Sequence, residues 1–322
     1  MDVHNDIITY RELAKVDPSK TLTLRNSFSR AMNKRFTELA LVVKKSVYDN
    51  DCFGLKPIIH SLQMNPAPNK AFLFPRSAEK VGAFMEWLRK QVDAGIIQIG
   101  TANQLGTSVE SAWFNLYILD SYKRGVLRAR YELKKAGYPV PTILESGGIA
   151  AVMSTPFHMD RVGILFTRTF SDMKGITAAM DMQISRILAQ GIIDGDGPAL
   201  LARKLVATIN GTGMGELGIT DKLGRFIPAA RRAEMLARTE ILRAFNAAQL
   251  VEFRNWGVVG VDVLAEYVTA GDSRVCEICQ PLEGKIYTLD AAEGVLPKHT
   301  SCRCIFIPIL KEDTIDKNVI NN

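Results

Sequence analysis

One stretch restricts what this chain can become more than any other. Cys276-Glu-Ile-Cys279 is followed, after nineteen intervening residues, by His299-Thr-Ser-Cys302-Arg-Cys304, which gathers four of the five cysteines and one of the four histidines. Thiolates and an imidazole at turn spacing match the needs of zinc, which takes four sulfur or nitrogen donors in a tetrahedron. Cys276, Cys279, His299, Cys302 and Cys304 offer five donors for four places, so the ligand count is open, with Cys304 or His299 expected to stand aside. Four protein ligands leave no vacant position, which makes the expected role of the ion structural. The metal-free alternative is a set of reduced thiols packed in a compact β core.

The flanking residues predict strands. Val261, Val263, Ala265 and Tyr267 alternate with positions of more exposed character, and Gly271-Asp272 ends the run. Lys285 to Thr288 reads as a second short strand. Cys302 to Pro308 reads as a third, ended by its proline, with Cys302 and Cys304 on one face because strand side chains alternate. Three short strands bury little apolar surface, so a metal staple would stabilise such a module substantially.

Other chemistries fit these residues less well. A thioredoxin-type Cys-x-x-Cys opens a helix, whereas Gln280-Pro-Leu-Glu-Gly284 reads as a turn. A zinc deaminase needs His-x-Glu and a proline before its Cys-x-x-Cys; Leu264-Ala-Glu266 has no histidine, and Val275 stands where the proline belongs. A zinc hydrolase needs an open coordination site and a nearby base, which the abundance of thiolates opposes. Asp194-Gly-Asp196-Gly suggests a calcium loop, but an apolar residue occupies the place of the closing glutamate. The five glycines between Gly211 and Gly224 follow a helix rather than a strand and include no Gly-Lys-Ser/Thr, so they read as a flexible loop.

Upstream the pattern is helical. Asp17-Pro-Ser19 precedes a periodic stretch to about Tyr48, and residues 50–75 are broken by glycine and prolines. Helices are predicted from Ser77 to a stop at Gly95, and from a capping box at Thr107 and Glu110 to a stop at Gly137. Beyond a connector near 137–148 come a helix over 157–170, a break at Gly175, and a helix to Gly191 with Ile176, Met180, Ile184 and Ile187 on its apolar face. Pro198 starts another helix to Asn210. Pro228 starts the last, 229–256, whose seam of Ala237, Ile241, Ala244, Ala248 and Val251 would let a second backbone approach closely. Arg232, Thr239, Arg243 and Asn246 share a different face of it. The fold class is therefore α+β: mainly helical N-terminal and middle regions with a small, zinc-stapled C-terminal β module. The expected division is a basic helical region 1–150, a domain 151–310 (helices over 156–256, β and cysteine module over 258–310) and a polar tail 311–322.

The net charge of +6 is uneven. Residues 1–140 hold 21 Lys and Arg against 13 Asp and Glu, and residues 251–322 hold 7 against 11, so attraction to a polyanion is expected from the N-terminal half. No run of about 18 apolar residues predicts a membrane span. The acidic, polar start does not read as a signal peptide, and an odd, clustered cysteine set does not read as a disulfide framework. A reducing cytosol, or a particle assembled there, is the expected compartment.

The ordered series Ala237-Arg238-Thr239-Glu240 with Asn246, Thr269-Ala-Gly-Asp272-x-Arg274-x-Cys276-x-x-Cys279, Leu282-x-Gly284 and Pro297-x-His299-x-x-Cys302-Arg-Cys304 resembles the phage Mu protein F-like family of head morphogenesis proteins. The resemblance spans roughly residues 156–308 and departs from the family at Thr300, where proline is frequent. It implies a minor capsid protein of a tailed phage. Such a protein is made in the host cytoplasm, lies inside the head near the portal, and acts in head assembly and DNA packaging or ejection. The implied partners are the portal, capsid or scaffolding proteins and, through the basic N-terminal half, packaged DNA; no enzymatic reaction is implied. The resemblance gives Thr239, Glu240 and Asn246 the role of tying the last helix to the loop of Gly271 to Arg274. Relatives with toxin domains extend further, whereas Lys311–Asn322 is expected to be only a tail. The rival reading is a zinc-containing protein that binds or processes nucleic acid.

Overall fold

A computed structural model describes residues 17–55, 78–100, 111–211, 220, 225–257, 263–310 and 319–321. Most of the glycine-rich loop, the Thr107–Glu110 box, residues 56–77 and residues 311–318 of the tail lie outside the described residues. The chain is α+β, with helices α1 (Leu22–Lys44), α2 (Ala78–Val92), α3 (Asn115–Lys135), α4 (Ile149–Met153), α5 (Pro156–Ile193), α6 (Pro198–Asn210) and α7 (Ala229–Gly257). A strand pair, β1 (Ile99–Gly100) and β2 (Ser111–Ala112), interrupts them. Strands β3 (Val263–Val268), β4 (Ile286–Tyr287), β5 (Ile305–Leu310) and β6 (Val319–Ile320) follow, with the one-turn helix α8 (Leu289–Ala292) after β4. Among the described residues no helix is long and apolar enough to cross a membrane.

Two compact units form from interleaved segments: Met1–Phe28, Phe114–Thr169 and Met235–Asn322 make the first, Ser29–Trp113 and Phe170–Glu234 the second. The boundary expected near residue 150 falls inside the first unit. The reason is a buried carboxylate: Glu252 on α7 accepts from Arg130 of α3 at 3.1 Å and pairs with His158 of α5 at 2.9 Å, so segments on both sides of residue 150 converge on it. Trp256 Nε1 donates to the same carboxylate at 2.8 Å, and His158 Nδ1 lies 2.9 Å from the Tyr122 hydroxyl. Burial pushes the Glu252 carboxyl up, but the bonds from His158, Arg130 and Trp256 outweigh it and hold the group below its usual value.

In the first unit α3 and α7 meet backbone to side chain. A Cβ added at Gly125 would sit 2.4 Å from the Phe245 carbonyl and 2.7 Å from Ala248 Cβ, a separation only glycine permits. The seam predicted on α7 is buried throughout, and Ser121 Oγ donates to the Ile241 carbonyl at 2.7 Å. Helix α3 ends at Gly137 as expected, with left-handed φ of +91° and Tyr138 N–H bonded to Leu133 O.

The sheet has order β5-β3-β4-β6, with β3 antiparallel to both neighbours and β6 parallel to β4. All six residues of β3 are buried, so the half-exposed strand read from its alternation is corrected. Val263, Ala265 and Tyr267 pack with Phe253 and Phe306, while Leu264 meets Ile286 and Ile309, so both faces are covered. Strand β5 also differs from expectation: it starts after Cys304 and runs through Pro308, which pairs with Ala265. Proline is tolerated because β5 is an edge strand and its missing N–H belongs to the open side.

The second unit is helical. Phe36, Val43, Phe84, Leu88 and Ile96 are among its buried residues, and Phe53 and Phe84 rings stack obliquely at 5.2 Å. Helix α2 does not stop at Gly95; it continues as a wide turn over Asp93–Ile97 that carries Ile96 and Ile97 into the core. Gln98, with φ of +37°, ends it by donating its N–H to Asp93 O. No break occurs at Gly175 either. Helix α5 runs unbroken past Gly163, Gly175 and Gly191, since an interior glycine weakens a helix by only about 1 kcal/mol and the buried stripe of Met180, Ile184 and Ile187 outweighs that. Pro198 begins α6 as predicted, and Asp196 in the preceding turn bonds Lys204 Nζ at 2.6 Å.

Candidate metal centre

Two tight turns present the ligands. In the first, Cys279 N–H donates to Cys276 O at 3.0 Å; in the second, Cys302 N–H donates to His299 O at 3.1 Å. Across the gap Cys276 Sγ lies 3.1 Å from His299 Nε2, and Cys279 Sγ lies 3.9 Å from Cys302 Sγ. The ligand atoms of Cys276, Cys279 and His299 all lie within 4.8 Å of one another, as do those of Cys279, Cys302 and Cys304. The cluster can hold a metal ion. Sulfur and nitrogen donors on tetrahedral zinc stand roughly 3.5–3.8 Å apart, so the donor set fits and the Cys279–Cys302 separation comes close, while Cys276 and His299, at hydrogen-bond distance, would move apart by about 0.4 Å to share an ion.

The donors are oriented from outside. His299 Nδ1 lies 2.8 Å from the Thr300 carbonyl, which can only accept, so Nδ1 carries the proton and the Nε2 lone pair faces Cys276. The position where the family often has proline thus contributes through its backbone, which any residue supplies. Tyr267 OH donates to Cys279 Sγ at 3.3 Å, and burial, followed by its bonds to Cys279 and Cys304, raises the phenol so that it remains a donor.

Charge is unevenly shared among the sulfurs. A hydrogen bond from the Cys304 side chain, helped by backbone N–H groups, brings the Cys302 thiol down to about 5 against the upward push of burial. The same bond and burial raise Cys304, and burial pushes Cys279 up to about 11. One thiolate therefore sits among neighbours that keep their protons, and an ion that takes more sulfurs must release those protons.

Helix α7 and the loop at Asp272 brace the second turn. Thr239 Oγ1 accepts the Ser301 N–H at 3.2 Å, and Ser301 holds a left-handed φ of +61°. Asn246 Nδ2 donates to Cys304 O at 3.3 Å and to Leu242 O at 2.9 Å. Asp272 takes both guanidinium nitrogens of Arg303, at 2.6 and 2.7 Å, and also binds Arg274 at 2.9 Å. The Arg303 bonds hold the Asp272 carboxyl well below the usual carboxylate range.

The expected tie of α7 to Gly271–Arg274 is corrected for Thr239 and Asn246: both reach the 301–304 segment, and Asp272 reaches the same segment from the other side through Arg303. Glu240 pairs with Arg243 at 2.9 Å and with Arg168 of α5 at 3.7 Å. Arg238 is half-buried beside Thr239. Sequence reasoning assigned no role to Tyr267, Ser301 or Arg303. Arg303 was findable, because a cation between two candidate ligands that share a face must point away from them, toward the acidic loop at Asp272.

Residues 182–307 match the family described as Phage Mu protein F like protein. That stretch is Mu F-like. The match starts within α5 rather than near residue 156 and takes in α6, α7, β3, β4 and all five candidate ligands. Searches of curated proteins and of solved structures returned no match. The braced second turn and the Cys-x-x-Cys turn opposite it are thus both inside the Mu F-like stretch.

Proposed function

We propose that this chain is a minor head morphogenesis protein of a tailed phage, carried in the virion on the inner side of the capsid near the portal. The Mu F-like match over residues 182–307 carries this reading, supported by the cysteine and histidine turns that fold inside it. In this reading the ion is zinc and its work is structural. It would be held among Cys276, Cys279, His299, Cys302 and Cys304 and would supply cross-linking of two loops rather than chemistry. No reaction is proposed. Thiolate-rich ligation leaves no open position, and the buried His158–Glu252 pair has no exposed surface.

The partners proposed are the portal and the capsid or scaffolding proteins, with packaged DNA as a further contact of the basic N-terminal half. Part of that charge is satisfied internally: Arg124, Arg128 and Arg130 of α3 pair with Asp120, Glu132 and Glu252. Exposed Lys134 at the helix end is better placed for phosphate. The test is pulldown of purified portal with this chain, alongside proteomics of purified particles and metal analysis of the same preparation. Co-purification with portal and presence in particles are expected. Absence from particles, together with DNA affinity that falls steeply with salt, would replace the reading by that of a nucleic-acid-binding protein.

A further inference from the structure

The cluster contains a repeat that its ligand count hides. Cys276 to Cys279 and His299 to Cys302 are the same device: a four-residue turn closed by the N–H of its last residue onto the carbonyl of its first, at 3.0 and 3.1 Å. The turns face each other in matched order. First residue meets first residue, Cys276 with His299 at 3.1 Å, and last meets last, Cys279 with Cys302 at 3.9 Å. Cys304 has no counterpart. The equivalent position two residues past Cys279 is Pro281, in the short helical turn Gln280–Leu282.

From this pairing we infer that the ion is held by Cys276, Cys279, His299 and Cys302, three sulfurs and one nitrogen, and that Cys304 is a positioning residue beside Cys302. The assignment rests on the metal reading above and selects among its five donors. His299 is already set as a ligand: its Nδ1 is engaged by the Thr300 carbonyl at 2.8 Å, so Nε2 is the coordinating nitrogen. Cys304 Sγ is within 4.8 Å of the sulfurs of Cys279 and Cys302, and its side chain hydrogen-bonds Cys302, so it can donate its S–H to that sulfur when it is a thiolate. Its own placement is fixed by Asn246 on its carbonyl and by β5, which begins at the next residue.

X-ray absorption on the zinc-loaded full chain counts the ligands without any substitution. Three sulfurs and one nitrogen are expected. Cobalt(II) replacement then compares variants by their visible spectra. Cys304→Ala should keep one ion per chain and an unchanged three-thiolate spectrum while weakening affinity about 10- to 100-fold, the range for loss of an outer donor. Cys304→Ser, which retains a donor, should recover most of that affinity. His299→Ala and Cys302→Ser should each lose stoichiometric loading. Four sulfurs in the wild-type chain, or a spectrum that loses one thiolate in Cys304→Ser, would overturn the assignment while leaving the metal reading intact. A wild-type chain that takes up no ion would overturn both.

Discussion

Thr239 Oγ1 accepts the backbone N–H of Ser301 at 3.2 Å while donating to Met235 O at 2.7 Å, so one hydroxyl on a long helix fixes the strained residue of the histidine turn. Thr239→Val keeps the shape and removes the acceptor. The orphaned N–H should lower stability by about 1–2 kcal/mol in urea titrations, and Thr239→Ser should restore most of it. Equal stability in valine and threonine forms would show that water replaces the hydroxyl.

Gly125 is the closest approach between α3 and α7. Gly125→Ala forces a methyl against the Phe245 carbonyl at 2.4 Å, and the two helices must separate along their seam. A loss of about 1–3 kcal/mol or more is expected, against a gain of about 1 kcal/mol from helix propensity alone. A calorimetric midpoint above wild type would mean the helices part without penalty.

The Asp272–Arg303 pair makes stability depend on acid. Its folded pKa is depressed, so its contribution is complete above the unfolded value, about 3.9, and is lost as pH falls through the lower folded value. Asp272→Asn should therefore lower the thermal midpoint at pH 7, and the gap from wild type should close progressively as pH drops below about 4. A gap that stays constant to the acid limit would exclude the ion pair as its source.

Zinc removal gives the most direct test of the staple. Chelation at neutral pH should lower the thermal midpoint, zinc should restore it, and magnesium, which prefers oxygen ligands, should not. If chelation changes nothing, the sulfur cluster holds together by packing.

Glu252→Gln leaves Arg130 and His158 buried without their carboxylate. Breaking a buried pair from one side destabilises by about 3–5 kcal/mol, and glutamine's remaining hydrogen bonds place the expectation at the lower end. Denaturant titration measures it; a shift under about 0.5 kcal/mol, the size of an ordinary surface change, would show the network to be dispensable.

The helices were largely legible because their apolar periods and stop signals are local: Gly137 and Pro198 act on their own neighbours. Gly175 and Gly95 misled because a glycine's helix penalty is small and the outcome is set by tertiary burial, which sequence spacing does not carry. The ligands of the candidate centre were legible for the same local reason. Their bracing was not, since Thr239 and Ser301 are 62 residues apart, and Asp272 and Arg303 are 31 apart. Strand β5 was misjudged at both ends: its proline is harmless only on an edge, and edges are a property of the assembled sheet.

The Arg130–Glu252 contact spans 122 residues of chain, and the seam that receives Gly125 lies on the same late helix. A ribosome makes α3 long before it makes either. During synthesis the nascent chain must carry the face of α3 that holds Ser121 and Gly125 without its final cover until α7 emerges. Premature release near residue 230 would therefore yield a fragment with that face uncovered, prone to stick to itself or to chaperones, whereas a chain released after α7 has the cover for it.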